Sequence, residues 1–343
     1  MAPPLTIEQI AELARVSRST VSRVLNNHPS VRPMVRDRVL QVMREHNYAP
    51  RAAARSLASS RTNVVGVLIP RSAATIFSEP FFPHIIQSIT ETCNSQGYFL
   101  MLSMVTGDME AGFYNRIVRG RHVDGVIMLS SDIDDPILPL LIRDRTPLVL
   151  IGSHPYFHDL SLVDADNQGG AYQAVTHLVK LGHQRIATIT GPLQMAASID
   201  RRDGYKRALL EAGIPIVPEL MVEGDFTQES GYRSMQRLLG LARRPTAVFV
   251  ASDAMAVGAL RAIHEAGLAV PGDMALVSFD DLPIAAFATP PLTTVHQPVA
   301  EMGATAVKLL IDQLEQRKST PQQVRLPTYL VVRRSCGAPT TSE

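Results

Sequence analysis

Two cysteines, Cys93 and Cys336, are all that the chain carries, and they lie far apart in sequence. That excludes a disulfide framework and a cysteine-based metal site, and leaves two small core residues as the plain reading. No apolar run approaches the roughly eighteen residues that a membrane-spanning helix needs. The N-terminus MAPPLTIEQ lacks the basic-then-apolar order of a secretion signal, so a cytoplasmic protein is expected. Also missing are the phosphate loop, the Rossmann glycine fingerprint, the Gly-x-Ser-x-Gly elbow and the zinc-binding His-Glu-x-x-His motif. An enzyme is therefore not expected, nor is a cofactor or a metal. The remaining catalytic option is an acid pair as in a sugar hydrolase, Asp280 with Asp281 or Asp164 with Asp166. Neighbouring strand residues face opposite ways, so Asp280 and Asp281 cannot easily flank one bond.

What is present is unevenly spread. The net charge is +1, yet residues 1–60 hold nine Arg, no Lys and four acids (Glu8, Glu12, Asp37, Glu45). A basic block on a faintly acidic body is the asymmetry of a chain whose one end meets phosphate. With 343 residues, 45% hydrophobic and 19% charged, there is material for two or three domains with large cores.

The first sixty residues read as short helices without a strand pattern. Ile7, Ile10, Ala11 and Ala14 recur at helical spacing behind Thr6, with Gln9 completing a capping box. A second helix starts at Ser17 with Val21, Val24 and Leu25 inward, after a turn of only Arg15 and Val16. Asn26 to Pro29 end it. A third runs from about Pro33 to His46, with Val35, Val39, Val42 and Met43 inward. A helix–tight turn–helix of this kind leaves the N-terminal polar face of its second helix exposed. Arg18, Ser19 and Ser22 on that face suit base edges in the major groove, and Thr20 and Arg23 suit phosphate.

From Asn63 the texture changes. VVGVLIP, YFLMLS, DGVIMLSS, PLVLIG, RIATITG, TAVFVASD and MALVSFDD are short apolar runs with helical patterns between them. That is the signature of βαβ units and parallel sheets covered on both faces. A rough internal similarity divides the units near Gly152 to Asp166, which predicts two doubly wound lobes with a cleft between them.

LTIEQIAELARVSRSTVSRVLNN, NYAPRAAARSLAS and the strand VVGVLIP closely resemble the lactose-repressor (LacI/GalR) family of bacterial transcription regulators. The match continues with HLVKLGHQRIATITGP, RRDGYKRAL, ASDAMAVGALRA, GLAVPGDMALVSFDD and PPLTTVHQP, so it covers essentially the whole chain. The resemblance implies an all-α helix-turn-helix headpiece at 1–49, a hinge helix and linker at 50–61, and an α/β periplasmic-binding-protein-like core at 62–343. The N-lobe would take about 62–162 and 296–324, the C-lobe about 163–295 and 325–338. It implies a homodimer on a pseudo-palindromic operator, switched by a small molecule, in keeping with a sugar, with a purine or other non-sugar metabolite as the alternative. The tail lacks a leucine heptad, which favours the dimer over a tetramer. DNA contacts then extend to Thr6, Ser17, Asn26, Tyr48, Arg51 and Ala54, and Leu57 matches the leucine wedged into the central base step. Two departures stand out. Ala58 replaces a basic residue of many relatives, and Arg32-Pro33-Met34 lacks the serine cap that usually opens the third helix.

Ligands of open α/β lobes sit outside the carboxyl ends of the strands. Those ends are Pro70-Arg71, Ser130, Ser153, Gly191, Ser252-Asp253 and Asp280-Asp281. The resemblance puts Arg201 at an effector-clamping position, Ser252 and Asp253 at a polar pair, Asp280 at an effector-binding acid and Gln297 at the lobe crossover. Phe81 and Phe82 match aromatic wall positions. Acids, amide and arginine beside aromatics suit a polyhydroxylated ligand. Plainer roles stand beside these: Arg201 in a solvated helix start, Phe81 and Phe82 in core, Asp253 as a helix cap.

Overall fold

The computed structural model describes residues 5–25, 28–46, 48, 61–129, 132–316 and 320–339. It divides into two compact units, Met1–Thr62 and Asn63–Glu343. The first is helical: α1 (Ile7–Leu13), α2 (Arg18–Leu25) and α3 (Pro33–Glu45). Their inward stripes meet in one small core of Ile10, Ala11, Ala14, Val21, Val24 and Val39, with Val42 and Met43 against it. Thr6 and Gln9 form the expected reciprocal cap. Arg15, at φ 52°, takes the left-handed conformation that lets two residues turn the chain from α1 into α2.

The second unit holds two six-stranded sheets. Sheet one runs β11 (Gln323–Leu326), β5 (Ser161–Ala165), β4 (Leu148–Ile151), β3 (Gly125–Leu129), β1 (Val64–Ile69) and β2 (Phe99–Met104), parallel throughout. Sheet two runs β12 (Tyr329–Val331), β10 (Thr293–His296), β9 (Ala275–Asp280), β8 (Ala247–Val250), β6 (Ile186–Thr190) and β7 (Met221–Glu223). Only β12 is antiparallel there. The seven apolar runs supply β1, β2, β3, β4, β6, β8 and β9. Each sheet separates two apolar clusters, as a sheet buried on both faces requires.

The chain passes between lobes three times. Strands β5, β10 and β11 each stay whole in their sheet, so the crossings follow Ala165, His296 and Leu326. These points lie slightly beyond the expected 162, 295 and 324, because ladder pairing continues to the end of each strand.

The C-lobe helices pack in two pairs built alike. Helix Ala196–Glu211 crosses Asn167–Lys180 at Gly204, where an added Cβ would sit 2.3 Å from the Gln168 carbonyl oxygen. Helix Asp253–Glu265 crosses Gln228–Leu239 at Gly258, where the same atom would sit 1.9 Å from the Gln228 carbonyl. Three and seven residues beyond each glycine come an arginine and a glutamate. Arg207 donates to Glu211 at 2.8 Å, Glu211 accepts from the Tyr172 hydroxyl at 2.6 Å, and the guanidinium covers the tyrosine ring. Arg261, Glu265 and Tyr232 repeat the arrangement with the same distances. The pairs approach at backbone contact, so no side chain fits between them. Gly258→Ala should therefore lower unfolding free energy by about 2 kcal/mol through overpacking. Gly240→Ala, whose nearest neighbours lie at 3.6 Å, should stay within about 0.5 kcal/mol in the same denaturant titration.

Candidate functional site

Two regions carry the polar groups of interest. In the helical unit, the N-terminus of α2 is ordered by Ser17, whose hydroxyl accepts from the Thr20 N–H at 3.2 Å and joins the Ser19 and Thr20 hydroxyls at 2.8 Å. Val21 and Val24 face the core, while Arg18, Ser19 and Arg23 are exposed and Ser22 is half-buried. Arg18 lies 3.2 Å from Glu8, both largely exposed. Such a pair is screened and weak, so it does not tie the guanidinium down. Tyr48 packs on the small core and its N–H donates to the Met43 carbonyl at 2.8 Å. Arg32 caps α3 without a side-chain hydrogen bond, as the missing serine implies. Asn26, Arg51, Ala54, Leu57 and Ala58 lie outside the described residues, as does Ser130 of the cleft.

In the second unit a cavity of about 360 Å³ opens between the lobes at the carboxyl ends of the strands. Arg71 after β1, Ser153 after β4, Ser252 after β8 and Asp280 at the end of β9 line it, as do Phe81 and Phe82 at the start of helix Phe81–Ser95. The two rings meet edge to face at 5.6 Å, and Phe226, from the loop after β7, faces the same space. A backbone hydrogen bond from the Ile133 N–H to the Gln194 carbonyl, 2.8 Å, ties the two rims together.

Arg201 organises the wall. It sits inside a helix, not at a solvated start, and is 5% exposed. Its Nε donates to Asn167 Oδ1 at 2.9 Å, Nη1 to the Ala251 carbonyl at 2.6 Å and to Asp280 at 3.4 Å, and Nη2 to Gln297 Oε1 at 2.6 Å. The guanidinium lies 3.7 Å from the centre of the Phe279 ring. Four of its five N–H donors are thus used by the protein. Arg71 is similarly occupied: both terminal nitrogens bind Asp132, at 3.1 and 2.5 Å.

The acids are less well provided for. Glu79, in the loop before Phe81, lines the cavity at 9% exposure, and burial pushes its carboxyl up to about 8 against the pull of Arg71. Asp164 accepts from Asn167 at 3.0 Å, but its Oδ2 is buried without a hydrogen-bond partner, and burial raises its pKa to about 6. Asp225 accepts from the Thr227 N–H and hydroxyl, which hold its carboxyl below the usual range despite partial burial.

Asp253 departs from expectation. It is fully buried and off the cavity wall, accepting from the Ser278 and Thr294 hydroxyls at 2.6 and 2.7 Å and from the Leu282 N–H at 2.8 Å. The helix cap is Ser252, whose hydroxyl accepts from the Met255 N–H. Asp253 stitches β9 to β10 instead. Asp281 points away too, bound to Arg333 and His296, and Asp166 caps the helix it precedes. Neither acid pair can flank a bond. Sequence reasoning missed Glu79, Asn167, Asp225 and Phe226. Their only signal was position beside a strand end or beside Phe81.

A three-helix unit with an exposed polar helix face, joined in one chain to a two-lobed core with a polar cleft, defines a ligand-responsive DNA-binding regulator. Residues 6–51 match the model of bacterial regulatory proteins of the lacI family, and residues 175–336 match a periplasmic binding protein-like domain. The regulator CelR of Thermobifida fusca is 39% identical over 333 residues, 96% of this chain and 98% of that protein. The ribose operon repressor of Escherichia coli K12 is 36% identical, with 96% and 99% covered. Among solved structures, a CelR–cellobiose complex superposes with a TM-score of 0.77 at 37% identity, over 96% of this chain and 99% of that one. The lac repressor dimer bound to operator and the anti-inducer ONPF reaches 0.85 at 30% identity, over 97% and 99%. The chain belongs to the lacI family of bacterial transcriptional regulators.

An acid whose folded pKa lies above its unfolded value binds more protons folded than unfolded, so it stabilises least at high pH. Glu79 should therefore cost stability as pH rises from about 4.5 to about 8. Glu79→Gln should unfold near wild type at pH 4 and several degrees higher at pH 8.5, read by thermal melts across that range. A constant difference at all pH values would contradict the buried, cation-poor setting.

Proposed function

We propose that this protein is a sugar-responsive repressor of carbohydrate-utilisation genes, acting in the cytoplasm without catalysis. It binds a pseudo-palindromic operator as a homodimer, and a saccharide in the interlobe cavity switches its affinity. The observation that carries the reading is the cavity itself: carboxylates, Asn167 and Gln297 for hydroxyl groups, beside the Phe81, Phe82 and Phe226 rings for the apolar faces of a sugar. The solved relative in complex with cellobiose supports it. On this reading residues 1–49 read DNA, 50–61 couple, and 62–343 sense and dimerise. Arg18, Ser19 and Ser22 contact bases, while Thr6, Ser17, Thr20, Arg23, Asn26, Tyr48, Arg51, Ala54 and Leu57 complete the DNA surface. Phe81, Phe82, Ser130, Arg201, Ser252, Asp280 and Gln297 hold the effector, and Asp253 supports them from behind.

Gel shifts with the promoter region of its own gene, with and without mono- and disaccharides, test the regulator reading. Specific retardation altered by a sugar is expected, and no shift under any condition would sink it. Arg18→Ala should weaken specific binding by about 1–3 kcal/mol and relax base preference at one half-site position. Uniform weakening on all sequences would assign Arg18 to phosphate alone. Arg201→Ala should still bind operator yet lose its response to sugar, and a wild-type response would remove Arg201 from the effector wall.

A further inference from the structure

We propose that Asn167 is the positioning residue of the cavity: one amide group orients both Asp164 and Arg201, and so presents the second oxygen of Asp164 to the ligand. The inference rests on the cavity being the saccharide site proposed above, and it deepens that assignment.

The chain brings Asn167 to this place by a local rule. Strand β5 ends at Ala165, the chain crosses between the lobes, and Asp166 caps the helix Asn167–Lys180. Side chains on a helix lean back toward its N-terminus, so Asn167 reaches the strand it has just left. Its Nδ2 donates to Asp164 Oδ1 at 3.0 Å and to the Ala165 carbonyl at 3.2 Å. Its Oδ1 accepts from Arg201 Nε, on the neighbouring helix Ala196–Glu211, at 2.9 Å. All three side chains are buried.

The two neighbours make opposite demands. Asp164 needs a donor, the Arg201 Nε–H needs an acceptor, and a single planar amide supplies both. A carboxylate at this position would satisfy Arg201 and confront Asp164 with like charge. An apolar side chain would strand both partners, which is costly in a buried site.

The consequence falls on Asp164. Its Oδ1 also accepts from the Ala165 N–H at 2.9 Å, so that oxygen is fixed from two sides. The carboxyl plane is then set, and Oδ2 is left buried without a protein partner, on a residue that lines the cavity. A buried acceptor calls for a donor, and a sugar hydroxyl is one. Arg201, fixed at Nε, binds Asp280 and Gln297 through its terminal nitrogens. Asn167 therefore sets the spacing between the acceptor at Asp164 and the Arg201 side of the wall.

The test compares full-length wild type with Asn167→Asp and Asn167→Ala, by calorimetric titration with cellobiose, glucose and ribose at pH 8.5 and 5.5. Asn167→Asp keeps the shape and the acceptor for Arg201 but loses the donor for Asp164. The charged groups facing that pair are Arg201 and Asp200, and burial already raises Asp164 to about 6. At pH 8.5 two carboxylates meet, and a sugar that binds wild type should bind this variant at least tenfold more weakly. At pH 5.5 the pair shares a proton, an O–H replaces the lost N–H, and the deficit relative to wild type should fall below threefold. Asn167→Ala has no proton to share, so its deficit should be the same at both pH values. A deficit in Asn167→Asp that does not change with pH, or wild-type affinity in both variants, overturns the proposal.

A second measurement needs no ligand. The Arg201 Nε–H, assigned by its absence from the Arg201→Lys NMR spectrum, should exchange with water at least tenfold faster in Asn167→Ala and at the wild-type rate in Asn167→Asp. Equal exchange in all three overturns the positioning role. If none of the three sugars binds wild type, the saccharide proposal falls, and the exchange rates decide the role of Asn167 alone.

Discussion

The buried guanidinium of Arg201 is the interaction on which the sensing unit depends. Its partners come from four places that the chain reaches at very different times: Asn167 just after the first lobe crossing, the Ala251 carbonyl after β8, Asp280 at the end of β9, and Gln297 at the second crossing. A charge withdrawn from water must be fully satisfied or it destabilises the fold. Here that demand is met only when both crossings and both strand ends are in place. The same requirement fixes the cavity wall, since Asp280, Asn167 and Gln297 line it. The fold and the shape of the cavity wall are thus secured by one set of hydrogen bonds.

Asp253 supports this set from behind. It draws Ser278, Thr294 and the backbone of Leu282 together, holding the carboxyl end of β9 against β10. Burial pushes both Asp253 and Asp280 above the usual carboxylate range, the more so for Asp253 because Asp280 lies beside it. Arg201 works against that rise at Asp280. A change in the Arg201–Asp280 contact would be felt at Asn167 and Gln297, the residues that follow the first two crossings.

Much of this was legible in the sequence, and the failures have physical causes. The apolar runs became strands because a strand buried on both faces must be largely apolar, as VVGVLI is throughout and ALVSFD is apart from Ser278 and Asp280, which bond Asp253 and Arg201. TTVH and QVRL escaped because their polar residues mask the pattern; the buried Thr293 and Thr294 hydroxyls are satisfied by Cys336 and Asp253, partners far away in sequence. The helical unit was readable because its signals are local: a capping box, a tight turn, a stripe of valines. The side-chain direction of Asp253 was not legible, since a residue at a helix start can turn toward the cleft or the sheet and only the packing of β10 decides. Glu79 carried no pattern. It reads as a loop acid until the fold closes a cavity around it.

The repeated Tyr–Arg–Glu clamps have a consequence for how this cavity can change. One clamp spans the helix pair that delivers Asn167 and Arg201; the other spans the pair that follows Thr227 and Ser252. The pairs lie on opposite faces of sheet two and belong to separate apolar clusters. Each half of the wall is therefore held by its own helix pair, through the backbone contact at Gly204 or Gly258, with the exposed clamp adding little. A substitution in one pair leaves the packing of the other undisturbed, because the two share no apolar cluster.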